Sequence, residues 1–134
     1  MILASALLCL SLNIYHEARG ESLDGQYAVA QVTMNRAGDS SKVCEEVMKP
    51  KQFSWANKMV RNGRLLSAGY PKDQKAWHRA KTMARMVLSQ RLVNMLPDVH
   101  FYHHATKSKP RWRNHMIVFA DIGNHRFYRY ERNI

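Results

Sequence analysis

The chain has 134 residues, 46% of them hydrophobic and 23% charged, with a formal net charge of +11 at pH 7. These totals exclude a disordered tail and fit a single globular domain over residues 1–134, large enough to bury a core without metal or disulfide staples. The excess of base predicts attraction to polyanions and does not choose among nucleic acid, anionic lipid and acidic envelope polymer.

The N-terminal run MILASALLCLSLNIY lacks the basic start of a secretory signal and is too short to span a bilayer. Leu3, Leu7, Leu10 and Ile14 recur at helical spacing with small residues between them, which predicts a core helix over roughly residues 2–18. Glu17 continues that stripe, and Gly20 breaks it. Ser22 or Asp24 can cap a second helix reaching about Arg36, with Val29 and Val32 facing inward. After the GDSS loop, Ser41 can cap a short helix, KVCEEVMK, that Pro50 stops.

Residues 51–75 read as irregular, with Gly63, Gly69 and Pro71 among them. Gln74 to Leu92 is the clearest helix, its stripe formed by Trp77, Ala80, Ala84, Val87 and Leu88. HFYHH reads as a strand placing His104 on the face of His100 and Tyr102, and His103 on that of Phe101. MIVFADIGNHRFYRY reads as two strands meeting at Gly123-Asn124, a hairpin turn. The expected class is therefore α+β: mainly helical, with a small antiparallel sheet near the C-terminus. Cys9 and Cys44 both sit in apolar helical contexts and read as reduced, buried small hydrophobes; pairing would require their helices to lie side by side.

Several constellations bear on chemistry. A carboxylic acid that donates a proton near neutral pH needs a raised pKa, and apolar burial is the usual means. Glu17, at the end of an apolar helix beside Tyr15 and His16, suits that role. It equally suits a helix-end ion pair with Arg19 or Arg36, and the residues alone leave the two even. Glu21 lies at the approach to the second helix, where a carboxylate is favourable for structural reasons. Five of the seven histidines fall after residue 99, yet no HExxH or Cys pair accompanies them, so neither metal nor organic cofactor is expected. Aromatic and polar residues interleave at Gln52–Trp55, HFYHH, PRWR and GNHRFYRY, a composition suited to sugar faces and to bases alike. Phe53, Trp55, Phe101, Phe119 and Phe127 compete for the alternative duty of building the core.

Taken together, IYHEARGES-x-x-GQ-x-AVA-x-V-x-x-NR, QFSW, HFY, P-x-W and IGNH-x-FYR resemble, in order, the bacterial and phage cell-wall hydrolases that include the spore-cortex-lytic enzymes. The resemblance runs from about Leu3 to Arg129. It implies a lysozyme-like or lytic-transglycosylase-like domain that cleaves peptidoglycan glycan strands at the β-1,4 bond between N-acetylmuramic acid and N-acetylglucosamine. It implies Glu17 as the essential acid, returning as base once the leaving group departs. Gln52, Phe53, Trp55, Tyr102 and Trp112 match positions around the groove, with His125 and a supporting or catalytic Glu21 as weaker members. His103 and His104 depart from the Asn-Pro that follows HFY in the family.

A basic domain of this size resembles a phage endolysin more than a sporulation enzyme. That implies a monomer held in the host cytoplasm until release, acting on the cell wall and attracted to anionic envelope polymers. With no independent second carboxylate, the transglycosylase outcome is favoured over muramidase hydrolysis. The rival class, a small basic nucleic-acid-binding module, has the charge in its favour but no recognition helix, RNP-like block or zinc ligands.

Overall fold

A computed structural model describes residues 1–131. Five helices and a three-stranded antiparallel sheet account for most of it, confirming the α+β class. Helix α1 spans Ala6–Ala18 and starts where the Ser5 hydroxyl accepts the Leu8 amide, so it begins later than its apolar pattern suggested. The residues before it run extended instead. Leu3 donates to the Gly63 carbonyl, and Met1 accepts from the Leu65 amide. Helix α2 (Leu23–Ala37) is capped by Ser22 and ends at Gly38, whose φ of 87° is cheap only for glycine.

A 3₁₀ turn over Ser40–Lys42 leads into α3 (Val43–Met48). Asp39 caps the 3₁₀ turn by accepting from the Ser41 amide, and α3 starts after Lys42 with no side-chain cap, so Ser41 is a capped residue and not the cap. The stretch expected to be irregular holds α4 (Ser54–Met59) and a two-strand ribbon, β1 (Val60–Arg61) with β2 (Arg64–Leu65). Asn62 and Gly63 both have positive φ, the pair of left-handed residues that a tight hairpin of this hand requires. Helix α5 (Gln74–Leu88), capped by Asp73, buries Ala76, Ala80, Met83, Ala84 and Val87.

The remaining strands are β3 (Val99–His104), β4 (Met116–Ile122) and β5 (His125–Tyr130), in spatial order β3-β5-β4. The β4–β5 turn is Gly123-Asn124, as its sequence predicts, with Gly123 at φ 58°.

Helix α1 is enclosed nearly all round. Cys9, Leu10, Leu12 and Ile14 have no exposed surface, and each buried side chain of that size contributes about 1.5–3 kcal/mol. The main core packs α1 against α3, α4 and α5; a second cluster joins the end of α1 and α2 to the sheet through Ala18, Val29, Val32, Val99 and Phe127. A buried polar chain threads the first core. Trp55 Nε1 donates to Asn13 Oδ1 (2.9 Å), and Asn13 Nδ2 donates to Thr33 Oγ1 (3.0 Å).

The cysteine expectation is corrected. Cys9 and Cys44 form a disulfide, because α1 and α3 do pack side by side and bring their Cα atoms to 5.2 Å. Both cysteines are thus committed to tying the first helix to the third.

Candidate active site

The last turn of α1 opens into a groove of about 760 Å3 between α4 with its preceding loop on one side and the sheet on the other. Glu17 lies on its lining together with Gln52, Tyr102, Trp112 and His125. Five of the eight residues singled out from sequence therefore converge. Lys51, Lys107 and His104 share the lining.

Glu17 is half-buried, and the loss of water pushes its carboxyl above the usual carboxylate range. Tyr102 opposes that shift by donating its hydroxyl to Glu17 Oε1 at 3.0 Å, which favours the ionised form. The burial is the larger effect. The phenol is pushed well above its ordinary value in turn, first by its own burial, then by the Glu17 charge and hydrogen bond. Tyr102 is fixed by rings on two sides: Phe127, tilted at 5.4 Å, and His125, edge-on at 5.2 Å. The strand reading of HFYHH holds from Phe101 onward, but a register shift between Val99 and Phe101 turns His100 away from the face of Tyr102 and His104, so that it meets Tyr130 as Phe101 does. Tyr102 and His104 face His125, whereas Phe101 and His103 face Trp112 on the other side.

Glu21 does not line the groove. Its carboxylate faces the β4–β5 turn, where both oxygens lie 3.3 Å from the Asn124 amide and Oε1 lies 3.2 Å from His125 Nδ1. Two glycines make room for it. A Cβ at Gly25 would press on the Glu21 side chain at 2.9 Å, and one at Gly123 would collide with the carboxylate itself. Glu21 thus clasps the α1–α2 connection to the hairpin that carries His125. Burial lowers the His125 pKa; Glu21 opposes that, while His104 and His103 add to it.

Phe53 and Trp55 are not available to a ligand, being 2% and 5% exposed. Their aromatic faces are already used: Trp55 stacks on His16 at 4.6 Å, and the Arg36 guanidinium lies 5.8 Å from the Phe53 ring centre. QFSW therefore offers the groove its glutamine and packs its two aromatics inward. His16 is held by donating Nε2–H to the Gly69 carbonyl at 2.9 Å, and burial lowers its pKa. Of the five aromatics weighed as core, Phe53, Trp55 and Phe127 are buried, Phe101 is partly so, and Phe119 is exposed.

One residue at the site's edge escaped the sequence. Glu46 is 4% exposed, and its carboxylate takes Arg36 Nε (3.2 Å), Lys49 Nζ (2.8 Å) and Gln52 Nε2 (3.1 Å). The only hint was a carboxylate within a short amphipathic run, a pattern that most often marks a solvated face. The histidines do not gather as metal ligands: among the described residues, no cluster of three or more His, Cys, Asp or Glu side chains is placed to hold an ion.

The comparisons with known proteins agree with this architecture. The fold is similar to the catalytic domain of the germination-specific lytic transglycosylase SleB from Bacillus anthracis, at 21% identity and a TM-score of 0.68, covering 92% of this chain and 93% of that one. It is equally similar to the catalytic domain of Bacillus cereus SleB, at 21% identity and a TM-score of 0.69, covering 92% and 89%. A search of curated proteins finds no match. The model of the cell wall hydrolase family matches residues 20–128, a stretch that opens just past Glu17 and takes in the groove's Gln52, Tyr102, Trp112 and His125. The chain belongs to the cell wall hydrolase family.

Proposed function

We propose that this protein cleaves the β-1,4 bond between N-acetylmuramic acid and N-acetylglucosamine in peptidoglycan, with Glu17 as the proton donor. The observation that carries this is Glu17 itself, a carboxyl with its pKa raised by burial, opening onto a groove of about 760 Å3. As the bond to the leaving sugar stretches, positive charge develops at the ring carbon, and Glu17 protonates the glycosidic oxygen. Tyr102 accompanies the change, since its hydroxyl is already aimed at the oxygen that becomes negative.

The carboxylate left behind then takes a proton from the incoming hydroxyl. If that hydroxyl is the C6 group of the same muramic residue, a 1,6-anhydro ring closes; if it is water, a reducing end forms. Glu17 is the only carboxylate among the described groove-lining residues, and Glu21 is turned to the hairpin. Hydrolases of this type use a second carboxylate in or beside the cleft, so its absence favours the anhydro product. The likeness to the B. anthracis protein, itself named a lytic transglycosylase, supports the same choice. Gln52, Trp112 and His125 would contact the glycan, while Phe53, Trp55 and Glu21 would hold the walls.

The disulfide supports work in an oxidising envelope compartment, where such bonds persist. The charge of +11 supports attraction to anionic wall polymer, as a lytic enzyme of the endolysin kind would use. Mass spectrometry of the muropeptides released from purified sacculi tests the proposal. Anhydro products from the wild type and none from Glu17→Gln are expected; equal release by both proteins would remove Glu17 from its role, and reducing ends would make the enzyme a muramidase.

A further inference from the structure

A share of the positive charge lies outside the groove. Helix α5 and the loop after it carry Lys75, Arg79, Lys81, Arg85 and Arg91, with no Asp or Glu from residue 74 to residue 97. Spacings of four and seven residues put Lys75, Arg79 and Met86 in line on the exposed side of α5, with Arg85 alongside. Among the described residues, none of the five cations is ion-paired with a carboxylate. A basic face alone would be an ordinary solvated surface, and towards a helix C-terminus the dipole favours it.

What sets this face apart is the apolar side chains placed beside the charge. Gln90, in the left-handed region at φ 58°, turns the chain out of the helix. Arg91 and Leu92 then share a shallow cleft of about 450 Å3 with Arg85, Met86 and Ser89. Two guanidiniums and a hydroxyl thus meet two apolar side chains in one recess. Just beyond it, Val93 and Met95 are 78% and 67% exposed. Their backbone is nevertheless pinned: the Tyr27 hydroxyl donates to the Val93 carbonyl at 2.9 Å and accepts the Met95 amide at 2.8 Å. Between them, the Asn94 side chain donates to Asn35 Oδ1 at 3.1 Å. The loop is built to hold two hydrophobic side chains in solvent.

A partner that matches this surface must offer negative charge and apolar depth together. A polyanion in solution supplies only the charge and leaves Val93 and Met95 in water. A bilayer of anionic phospholipid supplies both, phosphates for the arginine forks and an acyl region for the aliphatic side chains. We propose that the exposed face of α5 and the loop over residues 91–95 form a docking surface for anionic phospholipid membrane. None of these residues lines the groove, so the inference stands apart from the peptidoglycan reading.

Co-sedimentation of the whole chain with vesicles tests it, using equal parts phosphatidylglycerol and phosphatidylcholine against phosphatidylcholine alone. Inorganic polyphosphate, titrated by calorimetry, is the lipid-free polyanion. The wild type is expected to bind the anionic vesicles far better than the neutral ones, and less well as salt is raised. Arg79→Gln, Arg85→Gln and Arg91→Gln combined should weaken vesicle binding about 100-fold and weaken polyphosphate binding as well. Met86→Gln, Val93→Ser and Met95→Ser combined should weaken vesicle binding about tenfold and leave polyphosphate binding unchanged.

The second variant separates a membrane surface from a general polyanion surface. If it binds anionic vesicles as tightly as the wild type, the face serves polyanions only and the lipid inference is overturned. Equal binding of the wild type to neutral vesicles overturns it too, as does an arginine variant with unchanged vesicle binding. All six replaced side chains are exposed, and an unchanged urea midpoint shows that each variant is folded. Should a triple variant not fold, Arg85→Gln and Val93→Ser singly are read in the same way. Muropeptide release from sacculi is measured alongside: its absence in the wild type removes the proposed function and leaves the vesicle result to decide the docking surface.

Discussion

Replacing Tyr102 with phenylalanine removes one hydroxyl and leaves the ring between Phe127 and His125. That hydroxyl donates to Glu17 Oε1 at 3.0 Å and favours the ionised carboxylate. Hydrogen bonds to charged groups contribute about 1.5–3 kcal/mol, so the Glu17 pKa should rise by about one to two units in Tyr102→Phe. Glu17 must be protonated to act as acid, and activity therefore falls as pH climbs through its pKa. The alkaline limb of the kcat/KM profile on solubilised glycan should move upward by the same one to two units. A parallel check reads stability. A carboxyl whose folded pKa lies above its unfolded one contributes stability at low pH that is lost as pH rises through the folded value. The wild type should therefore lose stability from the ordinary carboxylate range upward, and Tyr102→Phe should continue to lose it to higher pH. An alkaline limb that stays in place, or moves down, would refute the claim that Tyr102 tunes the acid.

Three further outcomes are expected. Glu17→Gln should lower kcat by about 10²–10⁴-fold and, by removing a carboxyl whose charged form burial disfavours, raise the melting temperature measured by calorimetry above the Glu17 pKa. Replacing both cysteines with serine releases a cross-link across a sequence separation of 35; it should reduce stability by about 3–4 kcal/mol, seen as an earlier midpoint in urea. Asn13→Ala strands the buried Trp55 N–H and removes the donor to the Thr33 hydroxyl oxygen, so about 1–3 kcal/mol of stability should be lost, with little change in KM.

The parts of this molecule that could be read in advance are those whose signal is local. The Gly123-Asn124 turn announces itself because few residues adopt its backbone, and the α5 stripe because its period spans four turns. The Asn62-Gly63 turn carries the same local signal, masked by a surrounding stretch whose glycines and proline read as irregular. The facing of Tyr102 and His104 follows from strand alternation alone.

What stayed hidden depends on which helix lies against which. The Cys9–Cys44 bond needs α1 beside α3, and the inward turn of Phe53 and Trp55 needs α4 to lie over His16 and Asn13. Glu46 resembles a surface residue until Arg36, Lys49 and Gln52 close over it. Glu17 and Glu21, four residues apart, look like a matched pair in the sequence; α1 ends at Ala18 between them, and one faces the groove while the other faces the hairpin.

The strand order β3-β5-β4 has a kinetic consequence. The central strand is the last of the described elements, so β3 and β4 have no partner in the sheet until β5 has been synthesised. Phe127, against which Tyr102 rests, and His125 both arrive with it. Helices α1, α2, α3 and α5 share apolar surfaces that do not depend on β5, so they can condense earlier. A nascent chain would thus carry Glu17 on a formed helix long before the far wall of its groove exists, and a wall-degrading activity would emerge only as synthesis of the domain ends.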